Sequence, residues 1–243
     1  MKTILETFKG VAQLERNKKH QELTRQFHDL ACMLIFGGYF LINKTRRIHL
    51  KEIEFYYHEE MEGGLKDPVM YHTTDHEKRQ DLPYFVFGSF NCHASGIDIT
   101  FENQDKKYRA SFLIRGYKVE SLNDGEWITT KDFERRSTYI YEDMMMGLSL
   151  DKGLCIEWVN EATQTSHCLT SGWRRNVASY LKDKNGCYLK DSKGNYIKEE
   201  ISIKEYNGLG KAEKEKYFLY SGRRYRKCDR AWNFRIADNE ENR

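Results

Sequence analysis

Apolar side chains near the start of the chain recur at the spacing of one helical face. They occupy positions i, i+4, i+7, i+8 and i+11 of a single run, namely Leu23, Phe27, Leu30, Ala31 and Leu34. This spacing places them on one stripe of an amphipathic helix. The helix is expected to stop at Gly37-Gly38, because glycine is unfavourable inside a helix and common just beyond its end.

A different period follows the helix and predicts strands. From Ile48 to Tyr57 apolar residues recur with a period of two, first at Ile48 and Leu50 and then at Ile53, Phe55 and Tyr57, which is typical of a strand with one buried face. Shorter apolar or alternating runs predict five further strands, at residues 39–42, 84–87, 96–101, 109–115 and 232–236. Polar turns are expected at 43–47 and 102–107. The segment 59–83 is predicted to be a long loop, and long loops inside compact domains are usually functional.

The second half of the chain carries weaker signals. Helices are predicted over 137–148 and 212–218. Within 181–197 an eight-residue unit repeats, and each copy carries Asp three positions before Gly. That spacing is typical of a type I turn that ends in glycine, so we expect a small β-meander here. Together these elements predict an α+β fold, a single domain over residues 1–243 with a curved, mainly antiparallel sheet flanked by helices.

Composition excludes several classes of protein. The chain has 243 residues with 13 Phe, 16 Tyr, 4 Trp and only 2 Pro, and so rich an aromatic content argues against disorder. The longest nearly unbroken apolar stretch, 31–42, has 12 residues, against about 20 needed to cross a bilayer. It also follows a charged segment, unlike the apolar core of a secretory signal. We therefore expect no membrane partner and a cytoplasmic location.

The cysteines predict neither disulfides nor a metal site. There are six, and the two closest, Cys155 and Cys168, are 13 positions apart. Structural zinc sites need closely spaced pairs, which are missing here. With no signal for an oxidising compartment, the cysteines are expected to be free thiols. Neither a metal nor a cofactor is expected.

Charge is distributed unevenly along the chain. The formal net charge is only +3, yet the segment Lys211 to Arg230 holds eight basic and three acidic residues. Four aromatic residues interleave with them, a composition suited to phosphates and base faces. A solvated face with core aromatics beneath it would produce the same pattern, so both interpretations stay open.

Five ionisable residues fall on or beside the predicted strands. Glu52 and Glu54 share one strand face, because side chains two apart point the same way. Asp98 projects away from the isoleucines that flank it, His72 lies in the long loop, and Arg115 ends another strand. A carboxylate near a His and an Arg can activate a water while holding an anion. Structural ion pairs give the same spacing, so this pattern alone does not establish catalysis.

Four motifs in the first half resemble those of one enzyme family. In order they are the apolar segment 31–41, then Lys51-Glu-Ile-Glu-Phe-Tyr56, then Asp67-Pro-Val-Met-Tyr-His72, then Ala110-Ser-Phe-Leu-Ile-Arg115. They resemble the alkyladenine (methylpurine, 3-methyladenine) DNA glycosylases over roughly residues 25–118. A fainter similarity lies at 221–224 and 231–235. The resemblance implies a methylpurine-DNA-glycosylase-like fold and an enzyme of DNA repair by base excision.

The resemblance also implies roles for single residues. Glu54 looks like the general base that activates water against the sugar C1′, and Arg115 like the arginine that supports that water. Tyr56 and His72 look like the residues that hold the extruded base. Asp98 stands where the family usually has an Asn that gates the base pocket. This chemistry needs no metal, because a damaged base leaves readily after it is flipped from the stack.

The chain also departs from the family, which suggests an outlying member. The residue that wedges into the duplex is a tyrosine in the family, and Phe87 or Phe90 would serve here. The family's Gly-Pro-Gly-Lys segment is absent, and the repeat at 181–197 has no counterpart. The basic segment would supply the contacts to double-stranded DNA, chiefly through Arg223, Arg224 and Arg226.

Three functions are compatible with the sequence. The first is a monomeric glycosylase that hydrolyses the N-glycosidic bond of an alkylated purine. The second is a nucleic-acid-binding module without catalysis. The third is a hydrolase of a free nucleoside-like ligand, which would need the pocket but not a DNA groove.

Overall fold

The apolar stripe at residues 23–34 is the buried face of a long helix. The computed structural model describes residues 1–11, 14–70, 72–73, 82–133, 140–146, 148, 150–151, 153–161 and 168–237, and in it the helix is α2 (Arg16–Phe36). The five residues of the stripe are at most 2% exposed. The helix ends at Gly37, where a Cβ atom would lie 2.2 Å from the Met33 carbonyl oxygen. Only glycine lets the chain turn here into the first strand.

Nine of the described strands form one sheet. They are β1 (Gly38–Ile42), β2 (Arg46–Glu59), β3 (Phe90–His93), β4 (Gly96–Thr100), β5 (Tyr108–Asn123), β6 (Glu126–Phe133), β7 (Ile156–Asn160), β8 (Leu169–Gly172) and β12 (Asn233–Ile236). The main path runs β3-β4-β5-β2-β1-β7, with β6 paired to β5, and with β12 between β2 and β8. Each of these pairings is antiparallel.

The core lies between α2 and this sheet. The ring of Phe27 stacks on Phe55 of β2, with centroids 4.5 Å apart, and meets the edge of Trp232 at 5.1 Å. Helix α2 contacts β1, β2 and β12. The remaining helices are short: α1 (Lys2–Glu6), α3 (Ile140–Met145), α4 (Ile203–Gly208) and α5 (Lys211–Lys214). None of the helices in the described part of the chain has the length and apolar character needed to cross a bilayer.

A second, three-stranded sheet follows late in the chain, in the order β10 (Tyr217–Tyr220), β11 (Arg223–Arg226), β9 (Glu200–Ile201). The repeat at 181–197 leads into it. In each copy an Asp accepts two backbone N–H bonds, Asp183 from Asn185 and Cys187, and Asp191 from Lys193 and Asn195. Glycines at positive φ, Gly186 and Gly194, complete the turns.

The predicted α+β class and mainly antiparallel sheet are confirmed. Strand β5 passes through residue 120 while paired with β2 and β6, so no domain boundary lies there. Of the helix predicted over 137–148 the structure shows Ile140–Met145, and residues 137–139 and 147 lie outside the described residues. So do residues 71 and 74–81 of the predicted loop. The segment predicted as a helix over 212–218 is instead α5 followed by the start of β10.

Two other predictions were wrong. Residues 84–87 form no strand, because nearby side chains take up backbone groups that a sheet would use. Phe85 N–H donates to Glu102, and the Val86 carbonyl oxygen accepts from the hydroxyl of Thr100. The repeat at 181–197 forms isolated bridges rather than the strands of a meander, because each short unit turns back before a ladder can extend.

Candidate functional site

A cavity of about 510 Å³ opens between the large sheet and the small sheet. We call it the central cavity. Tyr56 of β2 and Arg115 of β5 contribute from the large sheet, and the β3–β4 hairpin contributes His93 and Asp98. Aromatic side chains of the small sheet line it from the other half of the chain, namely Phe218, Tyr220 and Tyr225. The cavity thus combines flat apolar surfaces with a few polar groups, as ligand sites do.

Glu54 lies directly behind the wall of the central cavity. Its side chain is fully buried, and it accepts four hydrogen bonds. Oε1 accepts from the hydroxyl of Tyr56 and from Arg115 Nη2 at 2.8 Å. Oε2 accepts from the backbone N–H of Arg175 at 2.7 Å and from Asn233 Nδ2 at 3.2 Å. Three of these donor residues, Tyr56, Arg115 and Arg175, themselves line the cavity.

The charge state of Glu54 follows from these contacts. Burial by itself raises the pKa of a carboxyl group, but the Arg115 guanidinium and the hydrogen bonds from Tyr56 and Arg175 outweigh it. The pKa of Glu54 therefore lies below its ordinary value. Burial and the charge of Glu54 raise the pKa of Tyr56 well above its ordinary value, so the tyrosine keeps its proton and donates it. The cluster is an ionised carboxylate held by a guanidinium and a phenol.

Glu52 lies next to Glu54 on the same face of β2, as the alternation predicts. Arg175 donates two parallel hydrogen bonds to Glu52, from Nε to Oε1 and from Nη2 to Oε2, both at 2.7 Å. Asn233 of β12 donates to Glu52 Oε1 at 2.8 Å and so bridges both glutamates. Sequence reasoning missed Arg175 and Asn233. Their positions depend on β12 pairing with β2, and no periodicity in the sequence signals that pairing.

A buried chain of ionisable groups reaches the cavity from the side of β4. Arg109 bonds Glu60 at 2.6 Å and Glu102 at 3.3 Å. Glu102 Oε1 lies 2.6 Å from His72 Nδ1, and His72 Nε2 lies 3.9 Å from Asp98 Oδ2. Both His72 and Asp98 line the central cavity. The structure therefore brings Glu54, Tyr56, Arg115, His72 and Asp98 to one place, as the motifs suggest.

The other predicted site residues lie elsewhere. Phe87 packs against the main core, while Phe90 is 37% exposed and contacts Phe40, and neither ring lines the central cavity. The three arginines of β11 are already engaged: Arg223 with Glu200 at 3.4 Å, Arg226 with Glu199 at 2.9 Å, and Arg224 over the ring of Tyr206. Arg224 and Arg226 project from the strand face opposite Tyr225 and hence away from the cavity.

A second cavity of about 550 Å³ adjoins the first and shares Arg175, Asn176 and Phe218 with it. We call it the basic cavity. No carboxylate of the described residues lines it, whereas Lys227 and Arg235 do. Trp173 at its edge is 44% exposed and has the ammonium of Lys227 at 5.4 Å from its ring. Cations beside an exposed aromatic face can bind a phosphate while the ring stacks on a neighbouring base.

The described residues contain no group of three or more His, Cys, Asp and Glu side chains placed to hold a metal ion. All six cysteines are free thiols. Comparison with family models, with curated proteins and with solved structures found no match for this chain.

Proposed function

We propose that this chain is a DNA glycosylase that takes an extruded, alkylated purine into the central cavity and hydrolyses its N-glycosidic bond. The observation that carries the proposal is the convergence of Glu54, Arg115 and Tyr56 at the wall of a cavity lined with aromatic rings. They come from two strands, β2 and β5. The similarity of their motifs to the methylpurine family supports the same activity and a glycosylase-like fold.

In this mechanism the ionised Glu54 accepts a proton from a water placed against the sugar. Arg115 holds the carboxylate charged and orients the water. Tyr56 and His72 hold the base, and the damaged base leaves with its bonding electrons as water attacks. Oε1, which already faces the two cavity-lining donors, is the oxygen that such a water would reach. No metal is required, because an alkylated purine is a good leaving group.

The basic cavity favours a nucleic-acid substrate over a free nucleoside. It continues from the central cavity through Arg175, so a strand whose base enters the first would lay its backbone along the second. Lys227 and Arg235 are placed to neutralise phosphates there, and phosphate neutralisation dominates sequence-independent affinity.

One observation favours a second candidate, a nucleic-acid-binding module without catalysis. Glu54 already accepts four hydrogen bonds and is shielded from the cavity by its own donors. A carboxylate so well satisfied is a weak base. In that case the cluster would serve to hold the cavity wall, and the cavity would bind a base without cleaving it.

Base release from an alkylated duplex separates the two candidates. For a glycosylase, Glu54→Gln lowers the rate of release about 10²- to 10⁴-fold, while binding of the same duplex persists. Glu157→Gln, on an exposed position of β7, is the matched control and leaves the rate unchanged. Because Glu54 is buried against Arg115, the variant also loses stability, about 3–5 kcal/mol if the pair is fully broken. Circular dichroism at the assay temperature must therefore show that it is folded.

Tyr56→Phe gives a milder second probe, since it removes one hydrogen bond to Oε1 and keeps the ring. Wild-type protein that binds the duplex yet releases no base would overturn the catalytic proposal and leave the binding module.

A further inference from the structure

Asp98 places a buried carboxylate on the wall of the central cavity. Its neighbours Ile97 and Ile99 point into the main core, so the strand alternation of β4 turns Asp98 to the opposite face. The residue is 3% exposed and lines the cavity. A carboxylate in such a place is costly unless its oxygens find donors.

One oxygen of Asp98, Oδ2, faces two histidine rings. His93 Nε2 lies 3.3 Å from Oδ2, and His72 Nε2 lies 3.9 Å from the same atom. The Nδ1 atom of His93 accepts the backbone N–H of Ser95, which leaves the ring proton on Nε2, the atom that faces Asp98. Tyr141 of α3 donates to the carbonyl oxygens of His93 and Gly96 and so fixes the hairpin that carries His93.

The other oxygen is different. Asp98 Oδ1 is buried and has no hydrogen-bond donor among the residues that the structure describes. Buried polar atoms in native proteins are almost always paired, so an exception needs an explanation. Because the residue lines a cavity, the simplest explanation is a donor that arrives with the ligand.

We propose that Asp98 Oδ1 accepts a hydrogen bond from an N–H group of the base in the central cavity, and that the site selects bases that present such a group. The proposal rests on the proposed function in one respect, that the cavity takes a nucleobase. An ionised carboxylate is an acceptor only, so it pairs with an exocyclic amino group and repels a carbonyl or a bare ring nitrogen. The amide of an asparagine has both a donor and an acceptor and would not discriminate in this way.

The remaining charges of the cavity support this orientation. Arg115, Arg175 and Lys198 line other parts of the wall. The sugar and phosphate of a bound nucleotide are favoured near these cations, and the amino edge of the base near Asp98. The aromatic rings of Tyr220 and Tyr225 offer flat surfaces for stacking between the two ends.

Equilibrium binding of nucleosides to the intact protein tests the proposal without requiring catalysis. Adenosine, guanosine and 2-aminopurine riboside carry an amino group, whereas purine riboside and N6,N6-dimethyladenosine carry no N–H on the base. Isothermal titration should show that the tightest amino-bearing nucleoside binds roughly 10- to 100-fold more tightly than purine riboside, the span expected for a hydrogen bond to a charged group. In Asp98→Asn the ratio should fall below about threefold.

Asp105→Asn is the control, since Asp105 is exposed on the turn between β4 and β5 and is removed from the cavity. It keeps the wild-type ratio. Should Asp98→Asn fail to fold, the comparison of adenosine with its dimethylated form on wild-type protein still decides the matter, because it alters only the ligand.

Three results would overturn the proposal: equal wild-type affinity for nucleosides with and without the amino group, an unchanged ratio in Asp98→Asn, or no binding of any amino-bearing nucleoside up to about 10 mM. Its failure is distinguishable from failure of the glycosylase proposal. Base release without amino selectivity refutes only the role of Asp98, whereas amino selectivity without base release refutes only catalysis.

Discussion

Asp67→Asn removes the anion that two arginines share beneath the candidate site. Asp67 is 1% exposed. Its Oδ2 lies 2.5 Å from Arg174 Nη1, and its Oδ1 lies 3.0 Å from Arg174 Nη2 and 3.4 Å from Arg230 Nη1. Arg174 precedes Arg175, whose backbone N–H binds Glu54. The substitution therefore tests whether this buried anion holds the segment that carries Arg175.

The expected loss of stability follows from two magnitudes. Burial raises the pKa of Asp67, but Arg174 and Arg230 outweigh it and lower the pKa from 3.8 to about 2. A shift of this size corresponds to about 2 kcal/mol of stability. Removing the anion altogether also leaves two buried guanidinium groups without their partner, and breaking such a pair costs about 3–5 kcal/mol.

The sign of the pH dependence follows from the lowered pKa. The stabilisation by Asp67 is fully present above its unfolded value of 3.8 and is lost as the pH falls through about 2. Wild-type protein should therefore lose this contribution in acid, whereas Asp67→Asn has none to lose. The difference in stability between the two proteins narrows below pH 4.

Urea unfolding followed by tryptophan fluorescence measures both effects. At pH 7 we expect Asp67→Asn to lower the free energy of unfolding by about 3–5 kcal/mol, and Asp105→Asn, on its exposed turn, to change it by about 0.5 kcal/mol or less. A loss in Asp67→Asn no larger than that of the control, or a difference that stays constant from pH 7 to pH 2.5, would refute the reasoning.

Two further predictions concern nucleic-acid binding and the core. The double variant Lys227→Ala, Arg235→Ala should bind duplex DNA with a weaker dependence on salt. The negative slope of log affinity against log salt should become less steep by up to about 2, since each lost phosphate contact removes about 0.9. Combined Arg224→Ala and Arg226→Ala should change the slope less, because both arginines project from the strand face that points away from the central cavity. The reverse order in a filter-binding titration contradicts this. Phe27→Ala should cost about 3–5 kcal/mol in urea unfolding, as expected for a fully buried ring; a cost under about 1 kcal/mol would show that the cavity it leaves collapses.

Much of the first half of the fold could be predicted because its strands have one buried face. In β2 the apolar positions are Ile48 and Leu50, and then Ile53 and Phe55, so the alternation changes phase once. The structure has two register shifts at this point, between Leu50 and Glu52 and between Glu52 and Ile53. They add one residue to each strand, Lys51 on β2 and Arg115 on β5, so the pattern changes phase while the apolar side chains stay in the core.

The second half could be predicted less well, because its turns are determined by hydrogen bonds from side chains to the backbone and not by a periodic pattern of apolar residues. The turns of the repeat depend on Asp183 and Asp191, and the bridges between its copies are single pairs rather than ladders. The failed strand at 84–87 has the same cause. Its apolar sequence matches a strand, but the side chains of Glu102 and Thr100 bond to the backbone in this stretch.

The candidate site joins the two halves, which explains why the sequence indicated only part of it. Glu54, Tyr56 and Arg115 come from β2 and β5, where alternation and motif similarity both apply. Arg175 and Asn233 reach the same carboxylates only because β12 inserts between β2 and β8, pairing Asn233 with Glu54. The contact between Asn233 and Glu54 joins residues 179 positions apart and leaves no local signature.

This arrangement lets the second half shape the site independently of the first. The carboxylate cluster on β2 can be kept while the far wall changes, because Phe218, Tyr220 and Tyr225 belong to a separate sheet. That sheet is joined to the segment bearing Arg175 through the bridge between Ala178 and Lys227. A change in the small sheet would therefore alter the shape of the cavity first. A change at β12 would instead act on Glu54 through Asn233, and would alter the charge cluster while leaving the aromatic wall in place.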